Sequence, residues 1–253
     1  MVAPNREGRF KMNRSVTIII PAYNEEGNIE GALESVVRAV SGLTPDYEII
    51  VVDDGSRDRT AFLTGEKAKR NPQIKIVSNG ENKGYGFAFR RGVSLAEKAY
   101  VTVFPGDNDM SADSLRDLIQ AAGRVDVVTT HVRPNHNRSR LRRFLSRTFV
   151  RLMNFLFGLD LKYCTGAFIC QTHCLRSITI KSDSLAVLAE CMVRLIKSGY
   201  SYTSIPFVHT GRKSERSKAL RLKSIWAVIR MISVLAYDVH FTPQYKQKRL
   251  CSI

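Results

Sequence analysis

Apolar residues along this chain alternate between short β-branched runs and longer stretches in which they recur at every third or fourth position. Residues 16–20 form the first run, which ends at Pro21 and reads as a strand buried on both faces of a parallel sheet. Past a polar turn at Asn24, the residues Ile29, Leu33, Val36, Val37 and Val40 recur at helical spacing, and Gly42 and Pro45 close the segment. Residues 48–52 predict a second buried strand that runs into Asp53-Asp54-Gly55-Ser56. A helix over 60–70, a strand over 74–78, a glycine-rich stretch, a helix over 85–98 and a strand over 100–104 follow. This alternation predicts right-handed crossovers and an α/β fold with a doubly wound, mostly parallel sheet. Beyond about Val132 it gives way to a basic, aromatic-rich stretch and then to helical patterns over 184–198 and 220–239.

Sheets of this kind bind ligands beyond the carboxyl ends of their strands. Asn24-Glu25, Asp53-Asp54 and Asp107-Asn108-Asp109 fall at such ends. Tyr23 and Glu25 can pack on a base and accept hydrogen bonds from its edge or from a ribose, and they equally suit a plain turn into a helix N-terminus. Asp53 and Asp54 close an apolar strand, where a charge needs a partner such as a ribose, a base edge or a cation. A tight Asp-Gly turn with Ser56 capping the next helix is the competing reading, and Asp58 and Thr60 suit it better. In Asn79-Gly80-Glu81-Asn82-Lys83-Gly84-Tyr85-Gly86 the glycines permit close backbone approach, and Lys83 can meet a phosphate beside a helix N-terminus, though the Walker spacing is absent. In Phe104-Pro105-Gly106-Asp107-Asn108-Asp109, oxygen ligands from Asp107 and Asp109 leave open positions where Mg2+ or Mn2+ can hold a diphosphate. A lone D-x-D is common in surface turns; this one gains weight as a further acidic strand end on the same rim.

Composition narrows the partners. A chain of 253 residues that is 44% hydrophobic can bury one substantial core, so a second domain is not required. Its net charge of +16 calls for a polyanionic partner: nucleic acid, an anionic membrane or phosphorylated substrates. Cys164, Cys170, Cys174, Cys191 and Cys251 are odd in number and lack C-x-x-C pairs, which argues against a disulfide framework and a structural zinc site and fits a reducing cytoplasm. Residues 1–15 are polar and basic and read as a flexible arm rather than a signal peptide or membrane anchor.

Taken together, Val16-Thr17-Ile18-Ile19-Ile20-Pro21-Ala22-Tyr23-Asn24-Glu25, Ile49-Ile50-Val51-Val52-Asp53-Asp54-Gly55-Ser56 and Asn82-Lys83-Gly84 resemble the nucleotide-sugar half of family 2 inverting glycosyltransferases, which have the Rossmann-like GT-A fold. Within that family the chain is most similar to the dolichol-phosphate mannose synthase branch and its polyprenyl-phosphate relatives. The resemblance implies that Pro21, Tyr23, Glu25 and Asp53 hold the nucleoside of a GDP- or UDP-sugar, that Val51 lines its pocket, and that Asp107 binds the metal. Aligned through Ala112-Asp113, the family's first motif aspartate falls on Pro105 and its second on Asp107, with Asp109 at a position where that branch often carries a metal-contacting glutamine. Both alignments nominate Asp107 and Asp109, and Pro105 implies weaker or water-mediated metal binding. Thr210-Gly211-Arg212-Lys213-Ser214-Glu215-Arg216-Ser217-Lys218 resembles the branch's R-x-x-G-x-S-K segment, with Glu215 in place of glycine, so Arg212 and Lys218 are expected to close over the donor diphosphate. The implied organisation is a glycosyltransferase domain over 16–220, with a nucleotide-sugar half (16–130) and an acceptor half (131–220), followed by an amphipathic helix and tail over 221–253.

The acceptor side is less defined. Arg140, Arg143, Arg147 and Arg151 recur at spacings of three and four, and Leu141, Phe144, Leu145, Phe149, Leu152 and Leu156 fill other positions of one basic amphipathic helix. It suits a membrane interface with arginines on lipid phosphates, or an arginine-lined surface packed on the core. Arg133, Arg138 and Arg142 add charge that can hold an acceptor phosphate. Residues 222–239 are apolar but interrupted by Lys223, Arg230 and Asp238, which suits an interfacial or core-packed helix better than a transmembrane one. Cys164-Thr165-Gly166-Ala167-Phe168 resembles the family's acceptor-side segment, with Asp160 as the nearest preceding carboxylate. The expectation is transfer to a polyprenyl or dolichyl phosphate by a peripheral protein at the cytoplasmic membrane face. A soluble or saccharide hydroxyl acceptor, with a carboxylate near Asp109 or Asp160 as base, is the alternative. A nucleic-acid-binding protein built on the basic helix leaves the acidic strand ends unexplained, so no nucleic-acid partner is expected.

Overall fold

The structure is a computed structural model that describes residues 15–132, 140–208, 222–242 and 245. Its strands are β1 (Val16–Ala22), β2 (Tyr47–Asp53), β3 (Ile74–Ser78), β4 (Tyr100–Val103), β5 (Val127–Val132), β6 (Phe168–Gln171) and β7 (Tyr202–Phe207). Its helices are α1 (Ile29–Val40), α2 (Thr60–Arg70), α3 (Tyr85–Leu95), α4 (Ala112–Ala121), α5 (Arg140–Phe157), α6 (Thr172–Arg176), α7 (Val187–Lys197) and α8 (Leu222–Phe241).

The strands join in one seven-stranded sheet, ordered β3-β2-β1-β4-β6-β5-β7. Pairings β1–β2, β1–β4, β2–β3 and β5–β7 are parallel, and β6 alone runs against its neighbours β4 and β5. The mostly parallel, doubly wound sheet read from the alternation is therefore the one that forms. One consequence governs the rest: the carboxyl ends of β1, β2, β3 and β4 share a single rim.

Continuous apolar strands follow from burial on both faces. Ile18, Ile20, Ile49 and Val51 pack with Leu33 and Val36 of α1 and Leu115 and Leu118 of α4. Their alternates Ile19, Ile50 and Val52 pack with Phe89 of α3, Met153 and Phe157 of α5, Met192 of α7 and Leu235 of α8. Each strand thus contributes to two cores, which is why no polar alternation marks it.

Two boundaries differ from expectation. β1 does not stop at Pro21 but continues to Ala22. The Asp54 amide donates to the Ala22 carbonyl (2.8 Å) on the β2 side, and the Phe104 amide donates to the Ile19 carbonyl (2.9 Å) on the β4 side. Pro21 is in phase with Ile19, so its missing N–H points toward β4 beyond the last pair of that ladder, Ile19 with Val103, where no bond is lost. α3 ends at Leu95 rather than near Lys98. There the Arg176 guanidinium donates to the carbonyls of Val93, Ser94 and Ala96, and the Glu48 carboxylate accepts the Glu97 amide at 2.6 Å, replacing the bonds of a further helical turn.

Candidate functional site

The loops after β1 and β2 are laced into one another. Asn24 takes the left-handed conformation (φ 52°), which asparagine tolerates better than most residues. Its amide donates to Ser56 Oγ (3.0 Å) and its side-chain oxygen accepts the Arg57 amide (2.8 Å). The Glu25 amide donates to Thr60 Oγ1 (2.7 Å) and the Glu26 amide to Asp58 Oδ2 (3.0 Å). Burial works against the Asp58 carboxylate, but hydrogen bonds from Thr60 and the Glu26 amide outweigh it and hold its pKa below the usual value. Ser56 therefore ties the β1 loop instead of capping α2, whose first residue is Thr60. Asp58 and Thr60 are the structural residues that their sequence context suggested.

The adjacent carboxylates divide their work. Asp54, 3% exposed, accepts the Lys83 amide (3.0 Å), the Gly84 amide (2.8 Å) and the Asn79 side-chain amide (2.8 Å), so it shapes the glycine-rich loop. Asp53, 2% exposed, accepts longer bonds from the Ser56 amide (3.2 Å) and Ser78 Oγ (3.3 Å), which leaves its oxygens able to accept more at the rim. Gly55 (φ 71°) passes so close to the glycine-rich loop that a Cβ would sit 2.5 Å from the Glu81 carbonyl carbon. Lys83 is exposed, with its ammonium 5.1 Å from the centre of the Phe87 ring and 3.6 Å from Glu81.

The loop after β4 closes the rim. A Cβ on Gly106 would lie 2.9 Å from the Pro21 carbonyl oxygen, so glycine is what lets this loop seat against the end of β1. Asp107, Asn108 and Asp109 are half-buried, Asn108 is left-handed (φ 55°), and the Asp109 amide donates to Asp107 Oδ1 at 3.3 Å. Burial, with the Asp107 carboxylate adding to it, pushes the Tyr85 phenol upward, so the hydroxyl stays protonated. Among the described residues no group of three or more His, Cys, Asp or Glu side chains could hold a metal. Asp107 and Asp109 are two carboxylates two residues apart on this loop, oxygen donors of the kind that a hard cation takes.

Of the residues singled out in the sequence, Pro21, Tyr23, Glu25, Asp53, Lys83, Asp107 and Asp109 all come to this rim, with Pro21 buried and Tyr23 and Glu25 half-buried. Val51, expected to line the nucleoside pocket, is fully buried among Ile18, Ile20 and Ile49, two residues before Asp53. Arg212, Lys218, Arg133 and Arg138 lie outside the described residues. Asp160 sits away from the rim, its carbonyl near the hydroxyl of Tyr202 (3.4 Å), the first residue of β7. Cys164 is buried, which pushes its thiol up to about 12 and makes it a poor nucleophile. Sequence reasoning missed the segment at Ser182-Asp183, which carries the start of α3: the Asp183 carbonyl accepts the Gly86 amide at 2.9 Å. Its signal was the pair Gly84 and Gly86, where a Cβ would meet the carbonyl oxygens of Asp183 (2.5 Å) and Ser182 (2.1 Å).

Comparison with known proteins agrees with this fold. The family model described as Glycosyl transferase family 2 matches residues 17–180. The chain is 27% identical over 231 residues to the undecaprenyl-phosphate 4-deoxy-4-formamido-L-arabinose transferase of Edwardsiella ictaluri, covering 89% of this chain and 69% of that protein. It is 30% identical over 220 residues to the transferase of the same name from Pseudomonas fluorescens strain SBW25, covering 83% and 62%. The chain thus spans about two thirds of the length of these curated relatives. Among solved structures, glucosyl-3-phosphoglycerate synthase from Mycobacterium tuberculosis with phosphoglyceric acid superposes with a TM-score of 0.67 at 19% identity, covering 88% of this chain and 80% of that one. The same enzyme with Mn2+, UDP-glucose and phosphoglyceric acid gives a TM-score of 0.66 at 19% identity, covering 89% and 81%. At that identity the likeness concerns the fold, which is the GT-A arrangement the motifs implied.

Proposed function

Because the chain belongs to glycosyl transferase family 2, we propose that it moves a sugar, with inversion and divalent-metal dependence, from a GDP- or UDP-sugar to a polyprenyl or dolichyl phosphate at a membrane surface. The observation that carries this reading is the convergence of Asp53, the Lys83 loop and the Asp107–Asp109 turn on one rim of the sheet. Asp53 with Tyr23 and Glu25 binds the nucleoside, while Lys83, Arg212 and Lys218 meet the diphosphate. Asp107 and Asp109 would hold Mg2+ or Mn2+, which when bound would supply neutralisation of the charge that develops on the leaving diphosphate. Residues 16–130 serve the donor and 131–220 the acceptor.

A lipid phosphate is already anionic at the attacking oxygen, so this chain needs no base to activate it. That suits a rim from which Asp160 is displaced. The relatives named as undecaprenyl-phosphate transferases support this acceptor class. So does α5, which leaves Phe144, Leu145, Leu152 and Phe155 exposed on a helix that also carries Arg143, Arg147 and Arg151. Among the described residues no helix is long and apolar enough to cross a membrane. The contact proposed is a peripheral one through α5, at the cytoplasmic face.

Thermal stabilisation by GDP-, UDP- and dTDP-sugars, with and without Mn2+, tests the donor side. Metal-dependent stabilisation by one of them is expected, and none by any would overturn the reading. Transfer to undecaprenyl phosphate set against transfer to soluble sugars tests the acceptor; product on the soluble sugars alone rejects the lipid. Asp107→Asn is expected to lower transfer about 100-fold or more without unfolding the protein.

A further inference from the structure

A second charged cluster lies behind the rim, inside the protein. Glu190 and Arg194, one turn apart on α7, are 1% and 2% exposed and pair at 2.8 Å. Arg194 also donates to Asp238 of α8 (2.7 Å) and to the Tyr245 hydroxyl (3.2 Å). Lys181 donates to the other oxygen of Asp238 at 2.9 Å. Such a network is expensive to bury, and a packed apolar cluster would be at least as stable, so stability alone does not account for it.

What the cluster does besides pair charges is pin a backbone. The Glu190 carboxylate accepts two consecutive amides, Lys181 (3.0 Å) and Ser182 (2.8 Å), while holding Arg194. A carboxylate has the lone pairs for all three bonds, whereas a neutral amide offers a single acceptor oxygen. The pinned segment bears directly on the start of α3. The Ser182 carbonyl accepts Arg90 Nη1 (2.6 Å), the Asp183 carboxylate pairs with Arg90, and the Asp183 carbonyl accepts the Gly86 amide (2.9 Å). A displacement of residues 181–183 therefore cannot leave Gly84-Tyr85-Gly86 in place, since neither glycine has clearance.

We propose that Glu190, oriented by Arg194 and Asp238, is a positioning residue for the donor loop: through Ser182-Asp183 it sets the seat of Lys83 and Tyr85 at the rim and couples it to the docking of α8. The inference rests on the reading that a nucleotide sugar binds over that rim. It assigns Glu190 no contact with substrate. Its effect falls on donor affinity and leaves the acceptor untouched.

The test is a set of donor titrations by calorimetry with Mn2+ and UDP- or GDP-sugars, alongside melting temperatures and steady-state kinetics. Glu190→Gln, which loses an acceptor for one amide, is expected to weaken donor binding about tenfold, the scale on which outer partners of a site act. Donor KM rises and acceptor KM stays constant. Tyr245→Phe touches the same guanidinium without reaching residues 181–183, so it is expected to lower the melting temperature and leave donor affinity within about twofold. Arg90→Met removes both Arg90 bonds to the pinned segment while keeping the Gly86–Asp183 bond and the buried charges; it should reproduce part of the donor effect, with Arg90→Lys restoring some of it. The two Arg90 variants, at a half-buried position outside the charged cluster, keep the question answerable should Glu190→Gln fail to fold. Donor affinity unchanged in Glu190→Gln or Arg90→Met, or lowered equally in Tyr245→Phe, overturns the relay alone. Absence of donor binding by the unaltered protein overturns the donor-site reading and the relay with it.

Discussion

Asp53 and Asp54 are neighbours in sequence, yet their surroundings give them opposite sensitivities. Asp54 accepts both the Lys83 and the Gly84 amide, one on each carboxylate oxygen. Its replacement by Ala strands two amides in a part-buried loop, at about 1–3 kcal/mol each. Asp54→Ala is therefore expected to lose about 2–6 kcal/mol in urea unfolding. Asp53 makes only long bonds to Ser56 and Ser78, so Asp53→Asn is expected to weaken nucleotide-sugar binding about tenfold while its unfolding midpoint barely moves. Titration calorimetry and urea melts on both variants check the contrast; equal stability losses would refute it.

At the scale of elements, the rim depends on close approach and α5 on exposure. Gly106→Ala puts a Cβ 2.9 Å from a backbone oxygen of β1, which has no room to yield. The β4 loop must then shift and take Asp107 with it. Expected are a melting temperature lower by a few degrees and Mn2+-dependent donor binding weakened about tenfold. On α5, Met153 and Phe157 are buried, whereas Phe144 is 64% and Phe155 is 85% exposed. Changing both exposed rings to Ser removes apolar surface that the folded protein does not bury. Phe144→Ser with Phe155→Ser is expected to leave the melting temperature within about 1 °C and to cut binding to anionic vesicles at least about tenfold in flotation assays. Undiminished flotation would place the membrane contact elsewhere.

Across the whole molecule, acid should act through carboxylates with depressed folded pKa values, Glu48 and Asp238 in addition to Asp58 at the rim. Burial opposes ionisation of Glu48, but hydrogen bonds from Lys75, Thr17 and the Glu97 amide outweigh it and hold its pKa below the ordinary 4.5. Asp238 is likewise held below its ordinary 3.8, with Lys181 and Arg194 outweighing burial. Because the folded values are depressed, the unfolded chain binds more protons in the interval between them. Stability from these groups is complete above the ordinary values and is lost as pH falls through the folded ones. With a net charge of +16 already present, each added proton also increases self-repulsion. Urea midpoints are expected to be flat from pH 7 to about 5 and to fall below about pH 4.5. Glu48→Gln should lower the midpoint at pH 7 and make the acid slope shallower.

The amino-acid order by itself determined the donor-side sheet and its rim. Apolar β-branched runs alternating with helical periodicity leave few arrangements other than parallel strands with crossovers, and parallel strands bring Asp53 and Asp107 to one edge without any knowledge of contacts. Glycines in the loops announced close approaches, though not what approaches. Tertiary structure alone decided the rest. β6, a four-residue strand inserted against its neighbours, has no crossover signature to betray it. The full burial of Val51 was likewise not legible, because strand periodicity does not say how much surface the neighbouring loops cover. Glu190, Arg194 and Asp238 read as ordinary charges on helices until α7 and α8 fold them inward. Charge burial depends on which helices meet, and that is settled by contacts between residues distant in sequence.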